Sequence, residues 1–134
     1  MAAKTILFID DDVKRITSHV EMLELEGYKV EMEQSVKQGL QKFTDNPTKY
    51  DLIILDIMMP VDDFKREDTK YGRETGILLI HKIRDISEKI PIIILSVLEG
   101  HRIMDKAKGL GVDEYLLKPQ LPSAIVNLVN SYLK

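Results

Sequence analysis

Hydrophobic and polar positions change period repeatedly along this chain. Thr5 to Ile9, Leu52 to Leu55 and Ile90 to Leu95 are short, nearly unbroken apolar runs rich in isoleucine. That is the pattern of strands covered on both faces. Tyr28, Val30 and Met32 alternate with Lys29, Glu31 and Glu33, which predicts a strand with one wet face at the edge of a sheet. Tyr115 to Leu117 reads as a short fifth strand. Between these runs apolar residues recur at helical spacing. Val13, Ile16, Val20 and Leu23 mark a first helix closed by Gly27, and Val36, Leu40 and Phe43 a second that ends before Asn46-Pro47. Leu79, Ile80 and Ile83 mark a third, ending before Pro91. Ile103, Ala107 and Leu110 mark a fourth, stopped by Gly109 and Gly111. Ile125, Leu128, Val129 and Tyr132 mark a fifth, with Pro122 near its first turn. Regular alternation of this kind predicts an α/β fold: a doubly wound parallel sheet of five strands with helices on both faces. One segment breaks the rhythm. Val61 to Thr75, about fifteen residues with nine charges and no clear period, is longer than compact folds usually need for a connection and reads as a loop or a loop with one short helical turn.

Composition narrows the function classes. At 134 residues the chain matches a single domain spanning 1–134, and 44% hydrophobic with 31% charged residues is ordinary for a globular protein with a core. The net charge of -3 supplies no broad cationic field, so nucleic acid is not expected as a direct partner. With no cysteine there is no thiolate nucleophile and no Cys-ligated zinc, which favours a reducing compartment. The apolar runs are too short to span a bilayer. Met1 to Lys4 lacks a signal-peptide pattern. A cytoplasmic protein without membrane insertion is expected.

In a parallel sheet all strand C-terminal ends face one edge, where ligands bind. Collected by strand end, the polar residues are Asp10, Asp11 and Asp12 after the first strand, Asp56 after the third, Ser96 after the fourth and Lys118 after the fifth. Carboxylates crowded at one edge repel each other, and a hard cation with oxygen ligands, typically Mg²⁺, relieves that repulsion. Acidic residues beside a lysine and a hydroxyl suit phosphoryl transfer, in which cations neutralise the oxygens of the transferring group.

The runs Ile6-Leu-Phe-Ile-Asp10-Asp11-Asp12, Asp51-Leu-Ile-Ile-Leu-Asp56-Ile-Met-Met-Pro60, Ile92-Ile-Ile-Leu-Ser96 and Tyr115-Leu-Leu-Lys118-Pro119 resemble the receiver domain (CheY-like) of two-component response regulators, over essentially the whole chain. The resemblance implies a flavodoxin-like sheet of order 2-1-3-4-5 and a phosphorylation-controlled signalling switch rather than an enzyme. It implies Asp56 as phosphoacceptor, receiving its phosphoryl group from a phosphohistidine on a sensor histidine kinase or phosphotransfer protein. Asp11, Asp10, Asp56 and the backbone carbonyl of Met58 would form the Mg²⁺ site, and Lys118, joined to Pro119 by a cis bond, would contact the phosphoryl oxygens. Ser96 would hydrogen-bond the phosphoryl group and draw in Tyr115 as an aromatic switch. The signal would pass by contact to a downstream protein target, since the chain ends at Lys134 just after the fifth helix.

Three features depart from that pattern. Gly76 stands where the family has a glycine within about four residues of Pro60, so about twelve residues are inserted beside the site. Val97 replaces a usually small residue after Ser96, and Leu98 follows it. Met58 and Leu98 stand at the two positions that, by the resemblance, would flank the attacking water, so slow phosphate loss is expected.

Plainer readings compete at several positions. Asp12 reads best as a cap of the first helix, and Tyr115 could be mere edge-strand packing. His19, His81 and His101 fall on three separate helical segments without carboxylate companions and are expected at surface or flank positions. A rival of another class also exists, because Phe8-Ile9-Asp10-Asp11-Asp12-Val13 resembles the nucleophile segment of haloacid-dehalogenase-like phosphatases, with Asp10 as nucleophile. Those enzymes need an acidic pair after the lysine, and Pro119 to Lys134 contains no Asp or Glu. A degenerate receiver used only for protein contacts is the third possibility, against which the intact set Asp10, Asp11, Asp56, Ser96 and Lys118 argues.

Overall fold

The unbroken apolar runs lie at the centre of the sheet and the alternating run at its edge. A computed structural model describes residues 3–61, 69, 70 and 72–134. Its elements are β1 (Thr5–Ile9), α1 (Val13–Leu25), β2 (Lys29–Glu33), α2 (Val36–Asp45), a 3₁₀ turn (Pro47–Lys49), β3 (Leu52–Leu55), α3 (Thr75–Ile86), β4 (Ile92–Ser96), α4 (His101–Gly109), β5 (Glu114–Leu117) and α5 (Pro122–Leu133). The strands pair in parallel in the order β2-β1-β3-β4-β5.

Successive side chains of a strand point to opposite faces, and the core divides accordingly. Ile6, Phe8, Leu52, Ile54, Ile93 and Leu95 pack with Ile16, Val20 and Leu23 of α1 and with Ile125, Val126 and Val129 of α5. Leu7, Ile9, Ile53, Leu55, Ile92 and Ile94 pack with Val36 and Phe43 of α2, Leu79, Ile80 and Ile83 of α3, and Ile103 and Ala107 of α4. Each fully buried Val, Leu, Ile or Phe side chain among them contributes about 1.5–3 kcal/mol of transfer free energy. The strand starts are closed by side chains: Asp51 Oδ2 accepts the Thr5 N–H at 2.8 Å and Asp113 Oδ2 accepts the Ile92 N–H at 2.8 Å.

Two expectations need correction. On β2 the two faces depart from the prediction: of the predicted wet face only Lys29 is exposed, Glu31 and Glu33 being half-buried, whereas Met32 of the predicted dry face is exposed. Tyr50 Oη donates to Glu31 Oε1 at 2.7 Å, Lys49 pairs with Glu31, and Lys42 lies 3.6 Å and 3.7 Å from Glu31 and Glu33. Burial pushes the Glu31 carboxyl up, but Lys49 and Tyr50 outweigh it and hold it below the usual range. His19 is buried, not on a flank. It lies on the same α1 stripe as Ile16, Val20 and Leu23, and its Nε2 meets the Gln120 carbonyl at 2.9 Å. His81 and His101 are exposed as expected. Of the inserted segment, residues 62–68 and 71 lie outside the described residues, and its last residue, Thr75, already opens α3.

Candidate functional site

Each site residue sits where its strand stops, and the ladder bonds run on far enough to align them. Asp10 follows β1 and its N–H donates to Glu33 O at 3.0 Å; Asp56 follows β3 and its N–H donates to Ile9 O at 3.1 Å. Ser96 closes β4, and the Lys118 N–H, just past β5, donates to Ser96 O at 2.8 Å. The sheet edge therefore brings together side chains separated by as many as 108 positions.

Lys118 is the hub. Its ammonium donates to Asp10 Oδ2 at 2.9 Å and to Asp56 Oδ2 at 3.1 Å. Burial alone would lower its pKa, but the two carboxylates hold it above the usual lysine value. Asp10 is fully buried, with Oδ1 accepting the Asp12 N–H at 2.9 Å. Its removal from water raises its pKa in spite of that bond and of Lys118. Asp56 is 6% exposed; its Oδ1 accepts the N–H groups of Ile57 at 2.7 Å and Met58 at 3.3 Å. Asp11 is exposed, and partial desolvation with the nearby Asp56 charge raises its carboxyl.

Asp10, Asp11 and Asp56 each place a carboxylate oxygen within 4.8 Å of the others. One ammonium among three carboxylates leaves an excess of negative charge, and the donors are all oxygen. Such a set suits a hard divalent cation, with exposed Asp11 on the side where waters could complete the shell. Asp12 stands apart as the N-cap of α1, its side chain accepting from the Arg15 N–H. Ser96 is fully buried and its Oγ accepts the Leu98 N–H at 3.2 Å. Tyr115, half-buried, donates its hydroxyl to the Leu98 carbonyl at 2.6 Å. The two residues expected to work together thus hold the same loop residue. Met58 and Val97 are exposed at the rim, and Leu98 is half-buried. The Lys118–Pro119 bond is cis.

The sequence reading passed over one group beside this site. Glu74, just before α3, is buried, and its carboxylate meets Arg102 and Lys106 of α4. The i, i+4 spacing of those two basic residues put them on one helix face, but nothing in the sequence said which acid they meet.

The sequence matches the family described as Response regulator receiver domain across residues 6–130. Among curated relatives it is similar to the uncharacterized transcriptional regulatory protein YclJ of Bacillus subtilis, 30% identical over 129 residues covering 96% of this chain and 50% of YclJ. The chain spans about half the length of the curated relatives it matches. Among solved structures, a CheY-like response regulator receiver domain protein from Methanospirillum hungatei superimposes with a TM-score of 0.83 at 25% identity, covering 98% of this chain and 94% of the other. Vibrio cholerae chemotaxis protein CheY4 shares the fold, with a TM-score of 0.80 at 23% identity over 98% of this chain and 99% of its own.

Proposed function

The chain belongs to the response regulator receiver domains, the phosphorylatable switches of two-component systems, and on that premise we propose that Asp56 is its phosphoacceptor. The supporting observation is the bridge of Lys118 between Asp10 and Asp56 at the sheet edge. The family match does not support the phosphatase alternative built on Asp10.

In the proposed reaction an Asp56 carboxylate oxygen forms a bond to phosphorus as the phosphorus–nitrogen bond of a phosphohistidine breaks, and the imidazole leaves with the bonding pair. Asp56 is prepared for attack by position: two backbone N–H groups hold Oδ1 and Lys118 holds Oδ2. Asp10, Asp11, Asp56 and the Met58 carbonyl are the groups that would hold Mg²⁺, whose charge would offset that of the transferring phosphoryl group. Lys118 needs little movement to reach the phosphoryl oxygens. Ser96 Oγ can turn from the Leu98 N–H to the same oxygens, and Tyr115 is tied to that move through the Leu98 carbonyl. Met58 and Leu98 offer no polar side-chain group to orient an attacking water, which supports a long-lived phosphoryl state.

The proposed partners are a phosphohistidine donor, either a sensor kinase or a phosphotransfer protein, and a downstream protein target. The absence of direct nucleic-acid contact is proposed for the receiver fold alone. Among the described residues no helix is long and apolar enough to cross a membrane, and a cytoplasmic setting is proposed from the phosphohistidine donor.

Intact-protein mass after incubation with a small acyl phosphate tests the reading. The wild type should gain one phosphoryl group with Mg²⁺ and none without it, and Asp56→Asn should gain none. Equal labelling of Asp56→Asn, or steady turnover through a covalent intermediate on Asp10, would overturn it.

A further inference from the structure

The Glu74 carboxylate is nearly enclosed, with 9% of its side chain exposed, and its two oxygens meet two residues of α4. Lys106 Nζ donates to Oε1 at 2.7 Å and Arg102 Nη1 to Oε2 at 3.2 Å. The residues next to Glu74 are tied in the opposite direction. Thr75 Oγ1 donates to Met59 O at 2.6 Å, and the Gly76 N–H donates to Ile57 O at 2.8 Å. Residues 74–76 thus join α4 to the segment that follows Asp56.

A buried ion pair by itself is weak evidence of anything beyond packing. The setting of α4 adds to it. Only Ile103 and Ala107 of this helix are buried. Its C-terminal turn is fixed to α3, because Arg84 donates to the carbonyls of Leu110 and Gly111 at 2.9 Å and 2.8 Å. Glu74 grips further along, at Arg102 and Lys106. Leu98 to Gly100 leads directly into α4, and Leu98 is the residue that Ser96 and Tyr115 both hold. A turn of Ser96 toward a phosphoryl group would release the Leu98 N–H, and any displacement of that loop would pass to the N-terminal half of α4, its C-terminal turn being held by Arg84.

We infer that Glu74 is a positioning residue that clasps α4 to the phosphoacceptor segment in the unphosphorylated chain, so that switching must loosen this clasp. The inference rests on the reading of Asp56 as phosphoacceptor. A contact made more strongly in one state biases the equilibrium toward that state. Weakening the clasp therefore favours the released state before any phosphate arrives, and the released state is the one that phosphorylation favours.

Glu74→Gln keeps the shape and removes the charge, and Lys106→Gln removes the charge of one of its two partners at a half-buried position. Amide shifts of each unphosphorylated variant, together with initial rates of phosphorylation by a small acyl phosphate with Mg²⁺, form the test. Shifts of Leu98, Ile103 and Tyr115 in Glu74→Gln should move along the line joining unphosphorylated and phosphorylated wild type. The rate should rise about fivefold, and the double variant should add less than the two singles combined. A variant with a lowered thermal midpoint but shifts off that line, or with an unchanged or lower rate, would show a merely structural cross-link and overturn the inference; should Glu74→Gln not fold, Lys106→Gln decides by the same criteria. Wild type that gains no phosphoryl group removes the reading of Asp56, and the inference falls with it. Wild type that gains one while the variants match it overturns the inference alone.

Discussion

Gly76 shows how closely single residues are specified beside the site. A Cβ there would lie 2.6 Å from the Ile57 Cα and closer still to the Asp56 carbonyl oxygen, and both obstacles are backbone, which cannot swing aside. The Gly76 N–H meanwhile donates to Ile57 O, so the start of α3 cannot retreat without losing a buried bond. Gly76→Ala should therefore cost about 2–4 kcal/mol, read as a lower urea midpoint. It should also slow acyl-phosphate labelling of Asp56, because the relief must come from the phosphoacceptor segment. A fully stable variant would mean that the approach is looser than the structure shows. His19 makes the complementary point: a residue type that suggests chemistry is here used at a helix–loop contact with Gln120.

At the scale of elements, α3 and α4 are joined by charge at two heights. Near the start of α3 the link is Glu74; in its last turn it is Arg84, half-buried, whose guanidinium donates to the carbonyls of Leu110, Gly111, Ser87 and Ile90 at 2.8–3.1 Å. Burial pulls the Arg84 pKa down while Asp113 opposes it. Two loops end on this planar group, and the match is geometric as much as electrostatic. Arg84→Lys keeps the charge, but a single ammonium cannot reach carbonyls spread around a fork. It should lose about 2 kcal/mol, with faster amide exchange at Leu110 and Gly111 as its local signature. Unchanged exchange at the α4–β5 turn would show that the turn holds without the guanidinium.

For the whole molecule, the cost of the site is crowded negative charge at one sheet edge, and a bound cation should offset it. Mg²⁺ that binds only the folded chain should raise the thermal midpoint, with about 2.7 kcal/mol added at a hundred times its dissociation constant. Asp11→Asn, at an exposed position, should fold normally and lose most of that gain. A midpoint indifferent to Mg²⁺ in the wild type would remove the cation from the site. How much of this the sequence held can be traced residue by residue. Apolar runs such as Ile6 to Ile9 and Ile92 to Leu95 set the strands, because burial on both faces needs continuous hydrophobicity. Parallel topology then makes Asp10, Asp56, Ser96 and Lys118 neighbours wherever their strands end level. Periodicity was thus enough for the strands and helices, the family resemblance supplied the order of the sheet, and strand-end position brought Asp10, Asp56 and Lys118 to one edge. They could not supply contacts between elements that share no pattern. The half-buried Glu31 depends on where Lys42, Lys49 and Tyr50 happen to reach, and the enclosure of Glu74 depends on α4 lying against the start of α3. Ion pairs form between whatever side chains the packed backbone brings within a few ångströms, and only the tertiary structure decides which those are.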